Sequence, residues 1–212
     1  MMRICVCVLL LVLLGLSVFD PVDGRRTRFK PKPKDKTKEK LVEEITPAKD
    51  IDIHQMKGKW YLLTVASRCQ HLLEKGFKVE GTTITLTPPA STNSPLKVST
   101  FTKLNYQCWE IQQHYETTKI TSRFLLKGNM PVMNTEITVI DTDYSSYAIL
   151  VYKRMKKITM KLYGRSAQVP DAIVDKFEEL AKKHNLGLDV IFQFPDYGFC
   201  QSADKEYTLV MT

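Results

Sequence analysis

The stretch TEITVIDTDYSSYAILVYKRMKKITMKLYGR, residues 135–165, decides how this chain folds. Its runs near 135 to 141, 146 to 153 and 157 to 165 are rich in Ile, Val, Thr and Tyr, which suit a pleated, half-buried surface. Asp143 to Ser146 and Lys156-Lys157 separate them with turn chemistry. Short β-rich runs at such regular spacing are the pattern of an antiparallel sandwich or barrel. Toward the N-terminus the pattern continues, with strands expected near 60 to 66, 80 to 87, 96 to 103, 107 to 116 and 120 to 127. Turns at Pro88-Pro89 through Pro95, Asn105-Tyr106, Thr117-Thr118 and Gly128-Asn129 with Pro131 divide them. The total is eight strands.

Beyond residue 165 the period changes. Pro170 and Asp171 are first-turn residues, and Ile173, Val174, Phe177, Leu180 and Ala181 recur at helical spacing up to the stop signal Asn185 to Gly187. One amphipathic helix laid on the outside of a closed barrel buries that face, and closure removes the edges an open eight-stranded sheet exposes. The expected fold is all-β, an eight-stranded antiparallel up-and-down barrel with one C-terminal α-helix packed outside. The tail IFQFPDYGFC, residues 191–200, carries too many large apolar side chains to be left in water.

The N-terminal part reads differently. Arg3, the apolar run Ile4 to Leu16 and the segment Ser17 to Gly24 have the layout of a secretory signal peptide, and no run is long enough to span a bilayer. The expected organisation is a signal peptide at 1–24, a basic disordered leader at 25–48 and a single barrel domain at 49–212, hence a secreted, extracellular protein. The net charge of +8 divides unevenly: residues 25–40 carry nine Lys/Arg against Asp35 and Glu39, leaving 41–212 with 21 basic and 19 acidic side chains. So balanced a body offers no extended phosphate-binding face, and no nucleic-acid partner is expected. The leader reads as a solubilising tail or as a patch for anionic headgroups or glycans.

Loss of the signal removes Cys5 and Cys7 and leaves Cys69, Cys108 and Cys200. An odd count in an oxidising compartment predicts one internal bridge and one thiol that is reactive or joined to another chain. Metal spacing is absent, because no CxxC survives and His54, His71, His114 and His184 are scattered singly. No GxSxG elbow, HExxH, P-loop or Gly-rich dinucleotide turn occurs, so no catalytic residue and no cofactor is assigned.

Three blocks carry a family resemblance. Gly58-Lys59-Trp60 opening the first strand, Thr142-Asp143-Tyr144 before the seventh and Leu162-Tyr163-Gly164-Arg165 ending the eighth resemble the lipocalins, in the family's order, over about residues 50 to 205. The resemblance implies a cup closed where Trp60 packs against Arg165 and open at the other end to a small apolar ligand. Gly58, Trp60, Thr142, Asp143, Tyr144 and Arg165 are then fold residues. Further runs, SRCQHLLEKGF, VSTFTKLNYQCWE, RFLLKG, TDYSSYAILVYKR and FPDYGFCQSAD, are similar to the complement branch of the family. The Lys-rich leader and the loop at Pro88-Pro89 depart from it.

That branch implies an interchain disulfide from Cys69 to a larger complement chain, and through it membership of the membrane attack complex without direct membrane insertion. It also implies an internal bridge between Cys108 and Cys200. Arg68, His71 and Lys75 beside Cys69 are expected to favour the thiolate, which suits a tether and equally a reductant. A heme- and radical-scavenging branch shares GKWY, the first-loop cysteine and KLYGR; Trp109 after Cys108 and the run Phe194 to Cys200 fit the complement branch better. The prostaglandin-synthase branch keeps its catalytic cysteine on a later strand inside the barrel, whereas Cys69 falls in the loop after the first strand.

Strand parity then nominates a cavity wall. With Arg165 inward, Tyr163 and Lys161 share its face and Leu162 and Met160 lie under the helix. With Cys108 outward, Trp109, Ile111, Gln113 and Tyr115 point in. This set suits a slender apolar ligand with a polar handle, or else it fills the barrel.

Overall fold

A computed structural model describes residues 45–91 and 94–208. The expected signal peptide, and the expected leader up to residue 44, lie outside the described residues. The eight expected strands are β1 (Gly58–Ser67), β2 (Thr83–Thr87), β3 (Leu96–Leu104), β4 (Gln107–Thr117), β5 (Arg123–Leu126), β6 (Thr135–Thr142), β7 (Tyr147–Arg154) and β8 (Lys157–Gly164). The fifth is shorter than expected because residues 118–123 turn: the Thr118 hydroxyl donates to the Ile120 and Arg123 carbonyls, and the Arg123 amide donates to Ile120 at 2.9 Å. The expected helix is α2 (Asp171–Lys183).

Each strand pairs antiparallel with its sequence neighbour, β1 pairs with β8, and β4 meets β5, so the sheet closes. The seam between β4 and β5 is short, only Glu116 with Leu125 and Thr117 with Phe124. It leaves the middle of β4 with an open edge. A further strand, β10 (Lys205–Thr208), pairs parallel with Trp109 to Gln112 and covers it. On the other side β2 leaves β1 after Tyr61, and β9 (Ile191–Gln193) takes the edge at Thr64 to Ala66. The tail therefore satisfies backbone donors and acceptors that incomplete closure would strand.

Two apolar layers share this wall. Inside lie Trp60, Leu62, Val98, Tyr115, Ile137, Val139, Tyr152 and Tyr163. Outside, Ile149, Val151, Met160 and Leu162 meet Phe177 and Ala181 of α2. β7 and β8 are thus buried on both faces, which is why YAILV reads as a continuous apolar run. Burying Phe177 contributes about 1.5–3 kcal/mol. Lys176 pins the helix further, through an ion pair with Asp141 and a hydrogen bond to the Tyr147 hydroxyl at 3.1 Å.

Ile45 joins the outer layer at 7% exposure, and the Ala48 amide donates to the Val139 carbonyl at 3.0 Å. Packing therefore begins on the leader side of the boundary drawn at residue 48. The apolar Ile45 packs with the outer layer of the barrel. Besides β9 and β10, an unanticipated element is α1 (Gln70–Lys75), six residues directly after Cys69.

Candidate functional site

The closed end is organised by Arg165. Its guanidinium lies 3.7 Å from the centre of the Trp60 ring and donates to the carbonyls of Tyr144, Lys57, Lys59 and Gln55 at 2.9–3.1 Å. The Trp60 indole N–H donates to the Met56 carbonyl at 2.8 Å. Gly58 admits this approach: its φ is +99°, and the Arg165 Nη1 stands 3.5 Å from where a Cβ would be. Thr142, Asp143 and Tyr144 form the adjoining turn. The Asp143 carboxylate accepts from the amides of Ser145, Ser146 and Tyr147 at 2.8–3.1 Å and from the Ser146 hydroxyl. Burial opposes its ionisation, but these hydrogen bonds outweigh burial and hold the carboxyl below its ordinary value.

Above this plug the interior is filled by tyrosines. Tyr115, Tyr152 and Tyr163 are each 4% exposed or less. The Tyr152 and Tyr163 hydroxyls are 3.4 Å apart, and Tyr115 donates to Gln113 Oε1 at 3.1 Å. Burial pushes all three phenols above the usual tyrosine value, so they remain neutral. Voids of about 20 and 10 Å³ lie among them.

At the open end lies a cavity of about 450 Å³. Val65, Leu72, Val79 and Phe194 supply apolar wall, and Lys75, Lys78, Lys103 and Lys161 face Glu80 as the only carboxylate among its described lining residues. Of the six side chains that parity nominated, Lys161 borders this cavity. Gln113, Tyr115 and Tyr163 lie beneath it around the void of about 20 Å³, which Lys161 also reaches. Ile111 is buried on the same face, and Trp109 is half-buried in register with the cavity-lining Thr102. The face was legible from period two; the depth was not, because filling depends on how side chains from facing strands meet. The rim lysines escaped the reading for a similar reason. Lys78 sits in the 3-10 turn Gly76–Lys78, which has no period, and Lys103 pairs with Cys108, whose face reads as outward.

Cys108 and Cys200 form a disulfide with their Cα atoms 5.6 Å apart. Asp204 clamps the same point, its carboxylate accepting from the Cys108 amide and its amide donating to the Cys108 carbonyl, both at 2.8 Å. Cys69 stands outside the bridge and is 1% exposed. It occupies the N-cap position of α1 and borders a cleft of about 290 Å³ with Arg68, Lys156, Lys157 and His184 to Leu186, away from the mouth cavity. The three cations beside it in sequence divide between that cleft and the mouth. Arg68 donates to the Asn185 carbonyl at 3.1 and 3.3 Å and pairs with Asp189 at 3.8 Å. His71 and Lys75 line the mouth, where burial and then the Lys75 charge hold the His71 imidazolium below its usual range.

Among the described residues no group of His, Cys, Asp and Glu could hold a metal ion, and no helix is long and apolar enough to cross a membrane. The chain is similar in sequence to known proteins and in fold to solved structures. The complement component C8 gamma chain of Oryctolagus cuniculus is 36% identical over 168 residues, covering 79% of this chain and 82% of its own length. Protein AMBP of Bos taurus is 30% identical over 78% of this chain, which spans only 48% of that longer protein. The solved structure of the siderocalin Ex-FABP superposes with a TM-score of 0.59 at 23% identity, over 68% of this chain and 96% of that one, a likeness of fold. The sequence pattern of the lipocalin / cytosolic fatty-acid binding protein family matches residues 57–197, and with that match and a closed eight-stranded barrel the chain belongs to this family.

Proposed function

We propose that this chain is a secreted, non-enzymatic subunit of the complement membrane attack complex, linked through Cys69 to the alpha chain of complement component eight and through it to the beta chain. The similarity to a complement component C8 gamma chain over 79% of this chain and 82% of that one is the observation that carries this reading. The cysteine pattern supports it, since Cys108 and Cys200 pair within the chain and Cys69 stands apart. Secretion rests on the apolar run Ile4 to Leu16. The tether holds the barrel beside its partner at high effective concentration, so a modest noncovalent contact suffices. The barrel also offers its mouth cavity to a small ligand.

The burial of Cys69 sets a condition. A partner sulfur reaches it through the cleft beside Lys156 and Asn185, or after α1 shifts. A helix of six residues without a side-chain N-cap is costly to nucleate and cheap to open. Co-expression of the full chain with the component eight alpha chain tests the reading. We expect one heavy species on non-reducing gels that separates on reduction, and its loss in Cys69→Ser. Persistence of the heavy species in that variant contradicts the tether.

The similarity to AMBP favours a second reading, an alpha-1-microglobulin-like heme or radical scavenger or a free carrier of small lipophiles. A monomer carrying a coloured adduct on Cys69 supports that alternative.

A further inference from the structure

The mouth cavity has a chemistry that its family membership does not specify. Among its described lining residues four are lysines, Lys75, Lys78, Lys103 and Lys161, against the single carboxylate of Glu80. Its apolar wall is made by Val65, Leu72, Val79 and Phe194. The floor is the tyrosine plug, where voids of about 20 and 10 Å³ hold at most a water molecule each. A methylene chain cannot pass without displacing Tyr115, Tyr152 or Tyr163, and all three are packed and hydrogen-bonded or in hydroxyl contact.

The floor also carries polar chemistry. Lys161 borders both the mouth cavity and the void beneath it, with its Nζ 4.4 Å from the centre of the Tyr152 ring. Gln113 is 4% exposed, its Oε1 accepts from Tyr115, and its Nε2 has no hydrogen-bond partner on the wall of that same void. An unused buried N–H donor is costly, and a cation beside it raises the local affinity for an acceptor. The walls therefore attract negative charge, the base presents an N–H donor next to a lysine, and the depth limits the length of whatever enters.

We propose that the mouth cavity binds a compact amphipathic anion, a short-chain or aromatic carboxylate, sulfonate or phosphate, with its acidic group drawn to Lys161 and its apolar body held against Leu72 and Phe194. The inference rests on the cup serving as a binding site and is independent of the Cys69 tether. A long-chain lipid is excluded by the plug, because its tail stays in water beyond the rim. The lysines also lengthen the reach of the site, since an electropositive concavity raises the encounter rate of anions at low salt.

Two fluorescent probes of nearly equal shape separate charge from apolarity: 1-anilinonaphthalene-8-sulfonate and its uncharged analogue N-phenyl-1-naphthylamine. Titrated into the full secreted chain, the sulfonate is expected to bind one-to-one at least tenfold more tightly than the neutral analogue, and more weakly as salt rises. Lys161→Met removes most of that preference, and Lys75→Gln with Lys103→Gln, on partly exposed positions, reduces it while leaving the urea unfolding midpoint within error. Displacement by fatty acids reads the depth. Palmitate should gain less than tenfold over octanoate, whereas a chain that enters the barrel gains several hundredfold. Equal binding of the two probes, absence of saturable binding by either, a large palmitate gain, or an unchanged preference in Lys161→Met in a folded protein each overturns the proposal. None of these outcomes bears on the disulfide tether, which the gel experiment decides separately.

Discussion

At Arg165 one side chain serves four backbone carbonyls and an indole face at once, with a planar fork that lysine does not possess. Arg165→Lys is expected to cost about 2–4 kcal/mol, because it leaves carbonyls unpaired and removes the stack on Trp60. Urea denaturation measures it; a change below 0.5 kcal/mol, the scatter of ordinary surface substitutions, contradicts the assigned role. Asp143 lies in the adjoining turn, and its pKa in the folded protein is depressed. Its contribution to stability is therefore present above the carboxyl's unfolded value and is lost as pH falls through the folded one. Asp143→Asn should lower stability at neutral pH and flatten the acid limb of the stability profile below about pH 4. An acid limb identical to that of the unchanged protein contradicts this. Both residues were legible in the sequence as members of short blocks, since their roles depend on residue type at fixed spacing. The environment of Cys69 was not, because where Arg68 turns is decided by the Asn185 carbonyl, 117 positions away.

The barrel strands followed from alternation and turn residues, and α2 from its apolar stripe. α1, β9 and β10 did not. α1 buries Leu72 alone, which is no periodicity, and β9 and β10 are three and four residues long, held by edges that exist only once the barrel has closed. β10 covers the β4 edge at 109–112, so a chain ended after Asp204 should expose that edge and self-associate at high concentration, read by sedimentation velocity. A strictly monomeric truncated chain contradicts the covering role. The Cys108–Cys200 bridge spans 92 positions, and its loss in Cys200→Ser should cost at most about 4–5 kcal/mol in the chain-entropy account. The Asp204 clamp and β9 and β10 already hold the tail, so the measured loss should fall below that ceiling. α1, by contrast, has little to hold it. Amide hydrogens at 70–75 should exchange far faster than those of β7 and β8, and equal protection contradicts the opening that exposes Cys69.

At the scale of the molecule three regions of the chain differ in chemistry. The dense positive charge lies at residues 25–40, the mouth gathers lysines around a short cavity, and Cys69 borders a separate cleft between the β7–β8 turn and the end of α2. Two attachments, one noncovalent at the mouth and one covalent at the side, are therefore compatible on one barrel. The proposed tether would convert this small barrel into a fixed part of a larger assembly. The most direct test is isolation of the native protein from plasma, followed by gel separation with and without reductant and mass analysis of the cysteine peptides. The account predicts release of this chain from a heavier partner only on reduction, with Cys69 in the mixed peptide and Cys108 linked to Cys200. A chain that runs at its own mass without reductant contradicts it.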